Sequence, residues 1–430
     1  MSVETLTEKK WDLIVVGGGM TGVAAAVCAR RQGLDVLILE KSGFLGGAAG
    51  TMLINPFMPY TTTVDGERFL LSRGFFTEMR QLLSDVDGYR KGDLQGAGSE
   101  NIHEEYVKLA FDRLVTREGV QPLFHATLCG VEKEGESLKA VKVATKAGVL
   151  TFEARYFIDC TGDADLAVMA GCPFQLGRED NLCQPMTLCF RIGNVDMPTY
   201  RQNIALMQEK YKEFQAAGKI KNPRENVLVF TTLVDGMLHF NTTRVVKHNP
   251  TDPLDVTRAE MTAREQMFEM YHFLRDNIPG FENSQLLYSA GEIGVRESRM
   301  IVGEYVINQD DLVNCVKFDD AIAAGNYDID IHNPEGAGTS HYYFPAGTWY
   351  TIPYRSLQPK NADNLLVAGR CISATHEAQA SVRIMPIVTT LGEAAGVAAA
   401  VAAKANVGVK QADVKEIQRI LGENGAFTGL

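Results

Sequence analysis

Residues 12–40 read DLIVVGGGMTGVAAAVCARRQGLDVLILE, and this stretch decides the fold. Asp12 to Val16 is a short, almost wholly apolar run, the pattern of a parallel strand buried on both faces, and glycines follow it at once. Thr21 to Gln32 is rich in alanine and predicts a helix that Gly33 ends, after which Asp35 to Glu40 resumes an apolar run. The order is strand, helix, strand. Gly17, Gly19 and Gly22 form GxGxxG at the strand-to-helix turn, where backbone amides can approach a pyrophosphate and the helix N-terminus favours its charge. Glu40 closes the second strand about 20 residues on, where an acid binds ribose hydroxyls. Its carboxylate would face a 2′-phosphate without compensation, which disfavours NADP and leaves NAD and FAD open.

The rest of the chain sets the class. With 430 residues and 45% hydrophobic content, it is long enough for two domains. A formal net charge of −11, with no long Lys/Arg block, argues against a nucleic-acid partner. Met1 to Trp11 is polar and lacks the apolar core of a secretory signal, so a cytoplasmic location is expected. The Ala-rich run Ala394 to Ala403 is too short to span a bilayer and predicts a buried helix, with no membrane partner. Eight cysteines, at 28, 129, 160, 172, 183, 189, 315 and 371, show no CxxC spacing and read as scattered reduced thiols. There is no HExxH, EF-hand, GxSxG or Walker pattern, and no metal site is expected.

Further along, Gly66 to Val86 has helical periodicity, Lys91 to Asn101 is a polar, glycine-rich loop, and His103 to Arg117 is again helical. Gln121 to Val131, Leu138 to Lys146 and Val149 to Tyr156 predict an antiparallel meander that leads through Phe157 to Cys160 into Thr161, Gly162 and Asp163. Residues from about 170 to 350 alternate β-patterned pieces (Met186 to Arg191, Val227 to Leu233, Met237 to Asn241) with a helical candidate, Pro253 to Asn277. Asn364 to Ala368 is another buried-strand run before Gly369 and Arg370, and Pro386 to Lys404 is a long helical candidate. The first and last pieces are expected to share one sheet.

Four segments carry a family resemblance: EKSGFLGGAAG (40–50), IDCTGDADLAVMAG (158–171), GVRESRMIVGEYV (294–306) and NLLVAGRCISATHEAQASVRIMPIVTTLGEAAGVAAA (364–400). Together they resemble FAD-dependent oxidoreductases of the glutathione-reductase and fumarate-reductase flavoprotein type. The resemblance implies an α/β fold: a Rossmann-like FAD-binding domain, with a doubly wound parallel sheet and an antiparallel β-meander, from residues 1–165 and 355–430. A β-rich α+β substrate domain, 166–354, is inserted between them. It implies noncovalent FAD, with Gly17, Gly19 and Gly22 at the pyrophosphate, Glu40 at the adenosine ribose, Lys41 as a further cofactor-binding residue, and Gly46 and Gly47 near the dinucleotide and flavin. Thr161, Gly162 and Asp163 match a strand-end motif near the ADP half, although Asp163 is an equally good helix N-cap. Gly369 and Arg370 match the segment passing the ribityl chain, where many relatives carry an acid. Arg383 precedes the last long helix, whose N-terminus would stabilise negative charge near flavin N1.

Flavin hydride chemistry also needs a proton-transfer group, and cations if the substrate is an anion. His341, in the aromatic run GTSHYYFPAGTWYTIPYRS (338–356), and His376 are the candidates for the first. Arg296 and Arg299 are candidates for the second, against an internal pair with Glu297 or Glu304, and Arg355 and Tyr354 are similar candidates. Tyr342, Tyr343, Phe344, Trp349 and Tyr350 either wall a pocket or form core. The expected function is an oxidoreductase moving hydride between flavin N5 and a small-molecule substrate, with an electron donor or acceptor that the sequence leaves open and with an oligomer allowed. The rival readings are a flavin-binding electron-relay or structural protein without turnover and a tRNA-modifying flavoprotein, against which the acidic charge argues.

Overall fold

The computed structural model describes residues 3–90 and 100–430, so most of the loop expected at 91–101 lies outside the described residues. Its centre is a seven-stranded sheet. In chain order the strands are β1 (Trp11–Val16), β2 (Val36–Leu39), β3 (Gln121–Leu123), β4 (Thr127–Glu134), β5 (Ser137–Thr145), β6 (Gly148–Asp159) and β7 (Leu365–Val367). The parallel part runs β3-β2-β1-β6-β7, so a strand from the C-terminal quarter completes a sheet begun at the N-terminus. β6 serves two partners: Phe157 to Asp159 lie between β1 and β7, whereas Gly148 to Glu153 pair antiparallel with β5 in the meander.

β1 and β2 are apolar throughout because both faces of the sheet are covered. Leu13, Val15 and Ile38 pack under helices α1 (Met20–Arg31) and α2 (Met385–Ala405). Ile14, Val16, Leu37 and Leu39 alternate to the other face and meet Leu138, Val141, Val143 and Phe152 of the meander. The small residues of α1 and α2 let the two backbones touch. A Cβ on Gly392 would come within 2.1 Å of the Thr21 carbonyl oxygen, and one on Gly396 within 2.2 Å of that of Ala25. With 21 residues, α2 is longer than the alanine run alone suggests. Among the described residues it is one helix apolar enough to cross a bilayer, but 94% of its apolar window is buried inside the fold.

Two expectations change. The helical periodicity assigned to Gly66–Val86 covers a hairpin, Thr61–Val64 with Glu67–Leu70, before the helix Phe75–Asp85. Asp65 and Gly66 both take positive φ, 52° and 81°, the backbone of a two-residue hairpin turn that local Asp-Gly chemistry favours over helix. The single strand expected over Gln121–Val131 is broken into β3 and β4 by His125 at φ 52°.

The middle of the chain holds a four-stranded antiparallel sheet, in the order Val229–Thr231, Leu238–Phe240, Phe190–Gly193, Gln285–Ser289. The helices Ile204–Ala216 and Pro253–Asn277 cover it through Met207, Tyr211, Met270 and Phe273. Two further antiparallel pairs, Ala321–Gly325 with Tyr350–Pro353 and Ile329–His332 with Thr339–Tyr342, bring Ile322, Ile329, Tyr350 and Ile352 into the core of α1 and α2.

Candidate active site

A cavity of about 1020 Å³ starts at Val16, Leu39, Cys160 and Gly369, at or just beyond the C-terminal ends of β1, β2, β6 and β7, and runs to the four-stranded sheet. Open α/β sheets bind ligands at that end, and sites for small organic ligands run to about 1,000 Å³. This volume suits a dinucleotide with a substrate beside it.

At the near end the glycines build a cradle from backbone. Gly17 sits at φ 101° with its would-be Cβ 2.3 Å from the Cys160 carbonyl oxygen, and a Cβ on Gly22 would fall 1.8 Å from the carbonyl oxygen of Gly17. These two glycines are required by the fold. Gly19 differs: its nearest neighbour would be 3.8 Å away, at Gly47, so a side chain there would occupy only the cradle. Gly46 donates its N–H to Gly18 O at 2.9 Å, which ties the second glycine pair, Gly46 and Gly47, to the first. Glu40 accepts from the N–H groups of Gly18 (2.6 Å) and Ser42 (2.7 Å). Its carboxylate is thereby held at the cavity wall. Lys41 also lines the cavity, with its ammonium on Glu292 at 2.9 Å. A glycine-lined cradle with an oriented acid at the end of β2 fits the adenosine and pyrophosphate of FAD.

The strand-end motif forms a second knot. Buried Asp159 accepts from the N–H groups of Thr161 and Ala167, both at 2.9 Å, and burial lifts its pKa to about 6. Asp163 does not cap the following helix, Asp165–Met169, which starts after Ala164. Its carboxylate instead accepts from Ser298 Oγ at 2.5 Å and from Arg370 Nη2 at 2.6 Å, while Arg370 Nε donates to Gly162 O at 3.0 Å. Arg370 therefore clamps Gly162 and Asp163. Arg299 pairs with Asp165, not with Glu297 or Glu304.

The far end collects charge. His341 Nδ1 lies 2.5 Å from Asp328 Oδ2, its Nε2 lies 3.8 Å from Asp330 Oδ1, and its ring stacks on Tyr343. Burial works against the charge of Asp330, but His332, Arg383 and His341 hold its carboxyl below the usual range. His332 accepts from Arg244 Nη2 on Nδ1 at 2.9 Å, and burial, then the charge of Arg296, lowers its pKa to about 3, so it is neutral. Arg296 donates to Pro185 O at 2.7 Å, to Thr187 Oγ1, and to Asn241 Oδ1 at 3.0 Å. Arg383, Ile384 and Met385 bring the N-terminus of α2 to the cavity wall. Asp328, Asp330 and His341 hold donor atoms within 4.8 Å of one another, a spacing open to a cation, but the Arg383 guanidinium beside Asp330 opposes one there.

Three expected residues lie elsewhere. His376 is 4% exposed and its Nδ1 meets Glu297 at 2.7 Å, behind the cavity wall. Arg355 pairs with Asp320 at 2.9 Å on the surface, and Tyr354 is buried with its hydroxyl on Val409 O. Of the aromatic run, Tyr343 and Phe344 line the cavity, whereas Trp349 stacks on Phe69 and Tyr350 bonds Ser381. The sequence reading did not single out Arg224, Asn241, Asp328 or Asp330, all on the cavity wall. The one local signal was the alternation of Asp328, Asp330 and His332, which puts three polar groups on one side of an extended segment. All eight cysteines are unpaired.

A family model described as FAD dependent oxidoreductase matches residues 12–421. A flavin-dependent halogenase, armH3, of Armillaria mellea is 29% identical over 145 residues, 32% of this chain and 29% of the relative. A thioredoxin reductase of Ureaplasma parvum serovar 3 is 48% identical over 42 residues, 10% of this chain and 13% of the relative. The chain thus spans less than a third of the length of these curated relatives. Among solved structures, a geranylgeranyl bacteriochlorophyll reductase-like protein of Thermoplasma acidophilum aligns with 96% of this chain and 84% of its own, at 12% identity and a TM-score of 0.47.

Proposed function

Because the chain belongs to the FAD dependent oxidoreductase family, we propose that it oxidises or reduces a small molecule bound at the far end of the cavity, with His341 moving the proton. Bound FAD supplies two-electron chemistry at its isoalloxazine ring. The chain's residues supply the rest. Gly17, Gly19, Gly22, Gly46 and Gly47 cradle the pyrophosphate, Glu40 takes the ribose, and Arg370 keeps the Gly162–Asp163 turn in place for the ribityl side. Arg383 and the N-terminus of α2 offer positive potential where reduction places negative charge.

The observation that carries this reading is the continuity of one cavity from the glycine cradle to His341. Asp328 receives the Nδ1 proton of His341, which sets the tautomer and leaves Nε2 to exchange a proton with substrate. We assign 1–165 and 355–430 to the cofactor and 166–354 to the substrate.

The test is anaerobic mixing of the FAD-loaded protein with a panel of small molecules, reading the loss of flavin absorbance. Bleaching by one member at a rate that saturates with its concentration supports a substrate-converting oxidoreductase. A flavin that dithionite reduces and an artificial acceptor reoxidises, with no panel member acting on either form, favours the electron-relay reading instead.

A further inference from the structure

Arg224 is a buried cation without an ion-pair partner. It is 4% exposed and lines the cavity, and among the described residues no carboxylate lies within ion-pair distance of it. Its Nε reaches Asn226 Oδ1 only at 3.4 Å, and its Nη1 has no hydrogen-bond partner among the described residues. Such a guanidinium is costly to bury, because its charge is offset only in part by Glu225 and Asp330, both beyond ion-pair distance, and its Nη1 lacks an acceptor. Arg244 behind it shows the alternative: it is 1% exposed, pairs with Glu225 at 3.3 Å, and bonds the carbonyl oxygens of Gly336 and Gly338.

Arg296 repeats the pattern on the neighbouring wall. All three of its acceptors, Pro185 O, Thr187 Oγ1 and Asn241 Oδ1, are neutral. They fix the guanidinium without balancing its charge. Burial and then the like charge of Arg224 push its pKa down to about 9, a repulsion that an anion between the two would relieve. Because Asn241 accepts from Arg296 through Oδ1, its amide nitrogen is left as a donor on the cavity wall.

We propose that the substrate is a small monocarboxylate whose charged end is held by Arg224, Arg296 and Asn241. This rests on the reading of the far cavity end as the substrate site. The charge balance selects the class. Glu225 is already paired with Arg244 behind the wall, and His332 is neutral, so Arg224, Arg296 and Arg383 face Asp328 and Asp330 with one positive charge in surplus. One carboxylate neutralises it, whereas a doubly charged phosphate would overshoot beside these acids. A planar carboxylate also matches the guanidinium fork.

The test titrates the FAD-loaded protein with benzoate and propanoate, their neutral amides benzamide and propanamide, and inorganic phosphate. It reads the perturbation of the flavin band near about 450 nm. The expected result is saturable perturbation by at least one of the acids, at least tenfold tighter than by its amide and tighter than by phosphate. Arg224→Gln should weaken it at least tenfold with the FAD-to-protein ratio unchanged. If Arg224→Gln does not fold, the acid-against-amide comparison in the unaltered protein decides. No perturbation by either acid, equal perturbation by acid and amide, or a preference for phosphate overturns the proposal. Failure to hold FAD at all would overturn the flavin site itself, a separate result.

Discussion

His341 Nδ1 and Asp328 Oδ2 are 2.5 Å apart, across the base of the hairpin that carries Asp330 and Tyr343. A carboxylate on Nδ1 keeps the proton on that nitrogen and turns Nε2 into the working one. His341→Gln is expected to slow substrate-driven flavin reduction by about 10² or more, the usual weight of a proton-transfer group. FAD content should not change. Asp328→Asn should slow the same step less, by about tenfold, and shift its pH profile, because it disturbs tautomer and basicity while leaving the imidazole in place. Stopped-flow traces at several pH values check both. An unaltered rate in His341→Gln removes it from the chemistry.

The cradle glycines separate folding from cofactor binding. Gly19 has φ −66°, which alanine adopts freely, and its added Cβ would meet nothing nearer than 3.8 Å. Gly19→Ala should therefore fold with the melting temperature of the cofactor-free protein and bind FAD at least tenfold more weakly, since the methyl group enters the pyrophosphate's place. Gly22→Ala would drive a Cβ to 1.8 Å from Gly17 O and should destabilise the fold itself by several kcal/mol. Thermal melts with and without FAD distinguish the two.

Glu393, 1% exposed within α2, accepts from Phe75 N–H at 2.9 Å and Asn424 Nδ2 at 3.2 Å, and burial lifts its pKa to about 7. The folded carboxyl thus holds its proton more tightly than the unfolded one. Its contribution is complete below about pH 4.5 and is lost as pH rises through 7. Melting curves from pH 5 to 8 should show the protein losing roughly 1–3 kcal/mol relative to Glu393→Gln over that window. Parallel pH dependences would contradict the assignment.

The glycine cradle at the strand ends was legible because it depends on backbone. Only glycine tolerates the contacts at positions 17 and 22, and only a buried parallel strand needs the unbroken apolar run Leu13 to Val16, so residue identity alone exposes both. The far end of the cavity depends on side chains that meet through tertiary folding: Arg224, Asn241, Arg296 and Asp328 come from four separated segments, and no spacing rule links them. The same blindness sent His376 and Arg355 into the expected site. Each was judged by its neighbours in sequence, whereas its fate was set by Glu297 and by Asp320, distant in the chain. For Asp163 the sequence allows both a strand-end motif and a helix cap, and only the fold shows that Arg370 and Ser298 reach its carboxylate.

The most direct test of the account is the visible spectrum of the purified protein, after reconstitution with FAD if it emerges colourless, taken before and after acid precipitation. The account predicts bands near ~370 and ~450 nm that pass into the supernatant as free FAD. A protein that shows no bands even after reconstitution would contradict it, because the glycine cradle and Glu40 would then hold some other ligand or none.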